Sequence, residues 1–305
     1  MFQKKNSAAI AASLLFTIFL WGGNNVGTKW LVASWPPIWM GSIRLLLAGP
    51  VLLAILRFSH WLGEWRTPTS AQQKQLWLRG GLSLALYIVA FNWALRLTAA
   101  SHVALCLGAS PVWTLIGEEM PRRTWASARR YGAAMLAASG VAVLFWPALQ
   151  NAKLNLLGDF LGLIASILWA VFSRQIRLLS ADLSGVEVAA HTMWMAGAWL
   201  LPVGVIEIFV KGFSANAQQF KILALCAVLG AVVPYALWNS ALRHWQTSRV
   251  MLFNNLIPLS TMLWANYFLR EPVTHTFWTA MILIIAGVLL GQADWVKIFK
   301  LPESF

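Results

Sequence analysis

The sequence predicts an all-α polytopic membrane protein of ten transmembrane helices, arranged as two inverted five-helix repeats. Three observations lead there. Of the 305 residues, 59% are hydrophobic and only 11% are charged, against roughly a quarter charged in a soluble domain. Ten apolar stretches are each long enough to cross a hydrocarbon core of about 30 Å, which takes about 20 residues of helix. The chain also repeats itself. At a shift of 147 positions Asn92 falls on Asn239, Arg96 on Arg243, Ser101 on Ser248, Pro111 on Pro258, Arg123 on Arg270 and Gly140 on Gly287, and 14 of the 50 positions from 92 to 141 are identical. A repeat of that length is read before any local motif, because it sets the architecture.

The ten segments fall at roughly 7–31, 37–57, 76–96, 99–118, 126–147, 156–178, 186–210, 220–242, 248–269 and 273–295. Lys4 and Lys5 precede the first, as in a signal peptide. The apolar run nevertheless continues from Trp21 to Ala33 without a small-x-small cleavage site, so it reads as a retained helix. Pro36-Pro37 opens the second segment and Pro272 the tenth, because proline fits the first turn of a helix. Residues 1–147 make the first repeat, 148–155 the linker, and 156–305 the second repeat with a short tail.

Lysine and arginine orient these segments. With the N-terminus in the cytoplasm, the inner side holds sixteen basic residues, and the outer loops hold five: Arg96, Lys153, Lys211, Lys221 and Arg270. That bias places both termini in the cytoplasm. Five helices per half is an odd number, so the second half enters the membrane upside down. Many secondary transporters are built this way, with substrate bound near the midplane between the halves. Orientation also accounts for the net charge of +13, which in a soluble protein would suggest nucleic acid. No zinc, helix-turn-helix or aromatic RNA-binding pattern is present, so nucleic acid is not an expected partner. Cys106 and Cys226 lie in apolar segments without metal-ligand neighbours and read as packing residues.

Polar residues inside the apolar segments point to the site. Thr17, Trp21, Asn24 or Asn25, and Thr28 share one face of the first helix. Gly162, Ser166, Trp169 and Ser173 form a counterpart on the sixth, with Leu168-Trp169 matching Leu20-Trp21 at a shift of 148. Such stripes face either a water-filled cavity or a neighbouring helix, not lipid. Pro111 and Pro258 lie within helical patterns, beside Gly108 and Ser110 in one repeat and Asn254 and Asn255 in the other. A proline frees a backbone carbonyl one turn earlier, so both are candidate hinges, or merely shape the bundle. Lys29 and Arg44 are basic residues within helices, where a charge at the bilayer centre costs about 2.5–3.5 kcal/mol on insertion scales. Lys29 lies near a helix end and can snorkel. Arg44 lies deeper, and reads either as a partner of carbonyls or an Asn, or as a fixed charge for a carboxylate or phosphate. Several of the nineteen tryptophans, such as Trp30, Trp35, Trp39, Trp61, Trp65 and Trp77, read as interfacial anchors.

Acidic residues are scarce, and none falls convincingly at midplane; His102 and His191 are the other titratable candidates. Proton coupling is therefore neither supported nor excluded, and exchange against a counter-substrate stays open. No Walker loop, HExxH, GxSxG or GxGxxG is present, so neither an enzyme nor a cofactor is expected.

Leu20-Trp21-Gly22 with Asn24, Asn25 and Lys29, then Pro37 and Arg44, resembles the first helices of the EamA-type drug/metabolite transporters. Pro111, Pro258 and Arg270-Glu271-Pro272 before Gly287 resemble the ends of that family's two repeats, over about residues 8–295. Two departures stand out: Thr124 replaces the acidic residue of the first repeat, and Ser173-Arg174 falls where Asn25-Val26 would recur. The resemblance implies ten helices, an inverted repeat, a central cavity and export or exchange of small metabolites across a bacterial inner membrane. The expected activity is export of a small polar metabolite such as an amino acid. Arg44 and Lys29 would neutralise a carboxylate, Trp21 and Trp169 would flank the apolar part, and Asn24, Asn25, Ser173, Asn254 and Asn255 would supply polar contacts. The alternatives are export of cationic or amphipathic drugs held by cation–π contacts, and a non-transporting membrane scaffold.

Overall fold

A computed structural model describes residues 7–58, 66–98, 103, 106–108, 110–118, 124–151, 156–180, 183–269 and 275–292. The described residues form ten helical segments. They are α1 (Ser7–Ser34), α2 (Pro37–Phe58), α3 (Ser70–Leu97), α4 (Ser110–Glu118), α5 (Trp125–Asn151), α6 (Leu156–Leu179), α7 (Gly185–Lys211), α8 (Ala217–His244), α9 and α10 (His275–Gln292). α9 is composite: Thr247–Met251, a 3-10 turn Leu252–Leu256, then Ile257–Leu269. Six helical spans, five of them α1, α2, α3, α7 and α8 and the sixth Phe160–Leu179 within α6, are long and apolar enough to cross a membrane. α5 runs through Asn151, four residues into the stretch read as linker. Lys4, Lys5, Trp61, Trp65, His102, Arg123, Lys153 and Arg270-Glu271-Pro272 lie outside the described residues.

The repeat is visible in the way its helices begin. α3 starts with a capping box in which Thr69 and Gln72 satisfy each other's backbone N–H groups, and α8 starts with the same box made by Asn216 and Gln219. Both pairs are 147 positions apart, the same shift found downstream. A capping box satisfies two of the four N–H groups that every helix start leaves unpaired. Each helix then passes through a π-helical stretch, Leu76–Gly81 in α3 and Val228–Val232 in α8. In α8 the cause is plain: Pro234 has no N–H to return to the carbonyl of Gly230 four residues earlier.

The helices pack in pairs that obey the repeat. α2 packs on α7, and α5 on α10. α1 packs on α8 and α9, and its counterpart α6 packs on α3 and α4. The result is two trios, α1-α8-α9 and α6-α3-α4, with the α2–α7 pair touching α3 and α8 and so bridging both. Within the trios glycines bring backbones together. A Cβ at Gly22 would lie 2.6 Å from the Ser260 carbonyl carbon of α9, and one at Gly158 would lie 2.9 Å from the Thr98 nitrogen beside α3. Gly140 and Gly287, the matched pair of the repeat, both face the α5–α10 crossing: their Cβ positions would fall 3.0 Å from the Ala280 oxygen and 2.7 Å from the Ala137 nitrogen.

Side-chain contacts at helix ends show that the halves are inverted. Glu207, near the end of α7, accepts hydrogen bonds from the backbone N–H of Ile38 (2.8 Å) and Trp39 (3.2 Å) at the start of α2. Gln219 at the start of α8 donates to Ser34 at the end of α1 (2.9 Å). The ends of α1, α3 and α7 and the starts of α2 and α8 therefore share one face. The ends of α4, α6 and α8 share the other, where Arg174 reaches the Gly117 carbonyl and Arg177 the Trp245 carbonyl.

Candidate functional site

A cavity lies between the two trios, near the middle of the helices. Its polar wall comes from α1, α2 and α9: Asn24, Asn25, Arg44 and Asn254. Its aromatic wall comes from α1, α3, α6 and α8: Trp21, Tyr87, Phe91, Trp169 and Tyr235, with Gly230, Ile88, Leu107 and Ile257 completing it.

Arg44 is the centre of the polar wall. It is only 4% exposed, yet among the described residues none that lines the cavity is acidic. Its Nη1 donates to Thr28 Oγ1 (3.1 Å) and Asn24 Oδ1 (3.3 Å), both on α1, while its Nε has no hydrogen-bond partner. A buried guanidinium held only by neutral oxygens keeps its full charge available to an anion, and a carboxylate can take two of its N–H groups at once. Gly230 makes this possible from the far side. A Cβ there would lie 2.2 Å from Asn24 Oδ1, so only glycine leaves Asn24 room to face Arg44. Asn25 donates to Thr261 Oγ1 (3.4 Å), and the Asn254 side-chain oxygen is buried without a partner.

The aromatic wall is a cluster, not a single stack. Trp21 meets Trp169 edge to face at 5.4 Å, and Trp238, fully buried, backs both at 5.0 and 5.7 Å. Tyr87 lies against Trp169 (4.9 Å) and stacks on Phe91 (5.4 Å). Such contacts fix ring orientation. The Trp169 indole N–H is buried without a partner, which leaves a donor on the apolar side of the cavity.

Six of the nine residues expected to touch substrate therefore line one cavity: Trp21, Asn24, Asn25, Arg44, Trp169 and Asn254. Three do not. Lys29 is turned to the end of α3, where its ammonium donates to the carbonyls of Leu95 (2.7 Å) and Thr98 (3.2 Å). Ser173 is fully buried one turn beyond Trp169, with its hydroxyl unpartnered. Asn255 points back into its own turn, where Nδ2 donates to the Leu252 carbonyl at 3.4 Å. Tyr87, Phe91 and Tyr235 were not foreseen. They sit on helices that are apolar on most sides, where no polar stripe marks an inward face.

The two prolines are accommodated differently from simple kinks. Pro258 is the second residue after the 3-10 turn of α9, and the carbonyl of Asn254, which it cannot serve, accepts instead from the Ile257 N–H. Pro111 leaves the Leu107 carbonyl free, and the Ser110 hydroxyl donates to it at 2.5 Å. Local 3-10 turns and hydroxyl groups are how freed carbonyls are satisfied inside a membrane.

Inverted repeats with a cavity between them are the architecture of many secondary transporters. The chain belongs to the EamA-like transporter family, whose model matches residues 8–146 and 156–291. An uncharacterised transporter of Archaeoglobus fulgidus is 25% identical over 92% of this chain and 96% of its own. A protein of Escherichia coli named "Probable amino-acid metabolite efflux pump" is 23% identical over 94% of this chain and 96% of its own. A protein of Streptantibioticus cattleyicolor named "Probable terminal-alkyne amino-acid exporter" is 24% identical over 74% of this chain and 75% of its own. A solved crystal structure superposes with a TM-score of 0.74 at 15% identity, covering 93% of this chain and 96% of the other, and so shares its fold.

Proposed function

We propose that this protein is a secondary transporter that exports a small polar metabolite, an amino acid, across a bacterial inner membrane by alternating access, with both termini in the cytoplasm. The observation that carries the reading is Arg44: a buried cation with only neutral partners, on the wall of a cavity between inverted repeats. A substrate carboxylate takes the free guanidinium N–H groups. The ammonium takes the unpartnered Asn254 oxygen, and the apolar side chain lies between Trp21 and Trp169. The names carried by two of the relatives, an efflux pump and an exporter of amino acids, support both the substrate class and the direction. Among the described residues the lining contains no carboxylate or histidine, so a substrate carboxylate is the charge that offsets Arg44 during a crossing. A cationic drug would find aromatic faces here but would meet an uncompensated arginine.

Counterflow in proteoliposomes loaded with a pooled amino-acid mixture tests this. One labelled amino acid should accumulate, and Arg44→Ala should abolish the accumulation while leaving membrane abundance unchanged. Loss of abundance together with activity would make Arg44 a structural residue. Unaltered counterflow in Arg44→Ala would remove it from the substrate path.

A further inference from the structure

Lys29 lies outside the cavity lining, and the contact it makes is repeated elsewhere in the molecule. Lys29 on α1 donates to the Thr98 carbonyl at the end of α3. Arg177 on α6 donates to the Trp245 carbonyl at the end of α8. Lys29 and Arg177 are 148 positions apart, and Thr98 and Trp245 are 147 apart. These are the shifts that relate the first helices and the later helices of the two repeats. The same contact is therefore made twice, once on each face of the membrane, by a cation reaching the exposed carbonyls of a helix end. Negative partial charge at a helix C-terminus favours such a cation.

The position of these contacts within the packing gives them a role. Each joins opposite trios. Lys29 belongs to α1-α8-α9 and holds α3 of the other trio; Arg177 belongs to α6-α3-α4 and holds α8 of the first. The cavity lies between the trios, so each contact ties the two trios together at one end of the helices. Arg96 adds to the first closure by donating from α3 to the carbonyls of Val32 and Ala33 at the end of α1. Ordinary helix caps stay within one packed body, as Arg174 does when it caps Gly117 of its own trio.

We infer that Lys29 and Arg177 are the equivalent gate residues of the two faces, Lys29 holding the outer end of the cavity closed and Arg177 the inner end. Both contacts are made at once in this structure. Rocking the trios about the bridging α2–α7 pair breaks one contact and spares the other. This inference rests on the transport reading for its purpose, but not for its geometry.

Hydrogen–deuterium exchange of the full chain in lipid nanodiscs separates a gate from a cap. In Lys29→Met, exchange at the ends of α1 and α3 should rise about tenfold, the worth of one charge-assisted hydrogen bond. Protection around Trp245 and the end of α6 should increase, because states open on the inner side need the outer side closed. Arg177→Met should give the mirror image, and the double variant should cancel the opposed changes. Lys29→Arg and Arg177→Lys keep a donor and should match the wild type, which controls for folding. Fraying of only the capped helix, loosening of both faces together, or no change would overturn the inference. Counterflow on the same variants keeps the two readings apart: opposed exchange without counterflow of any pooled substrate leaves the gates standing and sinks the transport reading.

Discussion

Single side chains in this protein act through the backbone they meet as much as through ligand. Gly230 is the clearest case, because any Cβ there collides with Asn24 Oδ1. Gly230→Ala should push Asn24 off Arg44 and lower transport by roughly tenfold, the scale of one hydrogen bond to a charged group, with little change in thermal stability. Counterflow and a melting curve on the same preparation check the split. Glu207 is the converse. Its carboxylate is 7% exposed, caps two N–H groups of α2 and pairs with Lys211 at 3.5 Å. Glu207→Ala should cost about 1–2 kcal/mol, as lost N-caps do, seen as a lower melting temperature. Sequence periodicity marked a polar face of α1 with Trp21 and one of Asn24 and Asn25 on it, without choosing between the two asparagines; both line the cavity. It marked Lys29 as a basic residue within a helix but not its partner, because the Leu95 and Thr98 carbonyls are distant in sequence and any residue type carries a carbonyl. The Arg44–Asn24 contact was legible as a type of contact and not as a pair.

At the scale of elements, the ten apolar stretches marked the helices well, since length and hydropathy decide what spans a bilayer. What they hid was local irregularity. The π stretches of α3 and α8 turn the helix face, so Tyr87, Phe91 and Tyr235 reach the cavity from helices with no stripe to announce them. The 3-10 turn of α9 does the same for two adjacent asparagines. It sends Asn254 to the cavity and folds Asn255 back onto the Leu252 carbonyl. The pair can be told apart by experiment. Asn254→Ala should impair counterflow with stability near wild type, whereas Asn255→Ala should lower stability by about 1 kcal/mol, the net worth of a buried hydrogen bond, and affect counterflow less. Equal effects in both assays would mean that the turn does not sort the two residues.

At the scale of the molecule, an inverted repeat makes one demand that composition cannot meet: helices equivalent by sequence must pack against each other in equivalent ways. The α5–α10 crossing is where that demand is tightest. Gly140 and Gly287 are the same position of the two repeats, and each presents its bare Cα to the other helix. Replacing either by Leu overpacks the crossing, at about 1–3 kcal/mol. Because both glycines serve one interface, the second substitution enters a crossing already forced apart, and contacting sites are not additive. Gly140→Leu/Gly287→Leu should therefore lower the melting temperature by less than the sum of its singles. Gly132, on the same helix α5, has nothing within 4 Å of its Cβ position. Gly132→Ala should raise stability slightly, by up to about 1 kcal/mol of helix propensity. Additive losses from the two matched glycines would mean that they act at separate sites along the crossing.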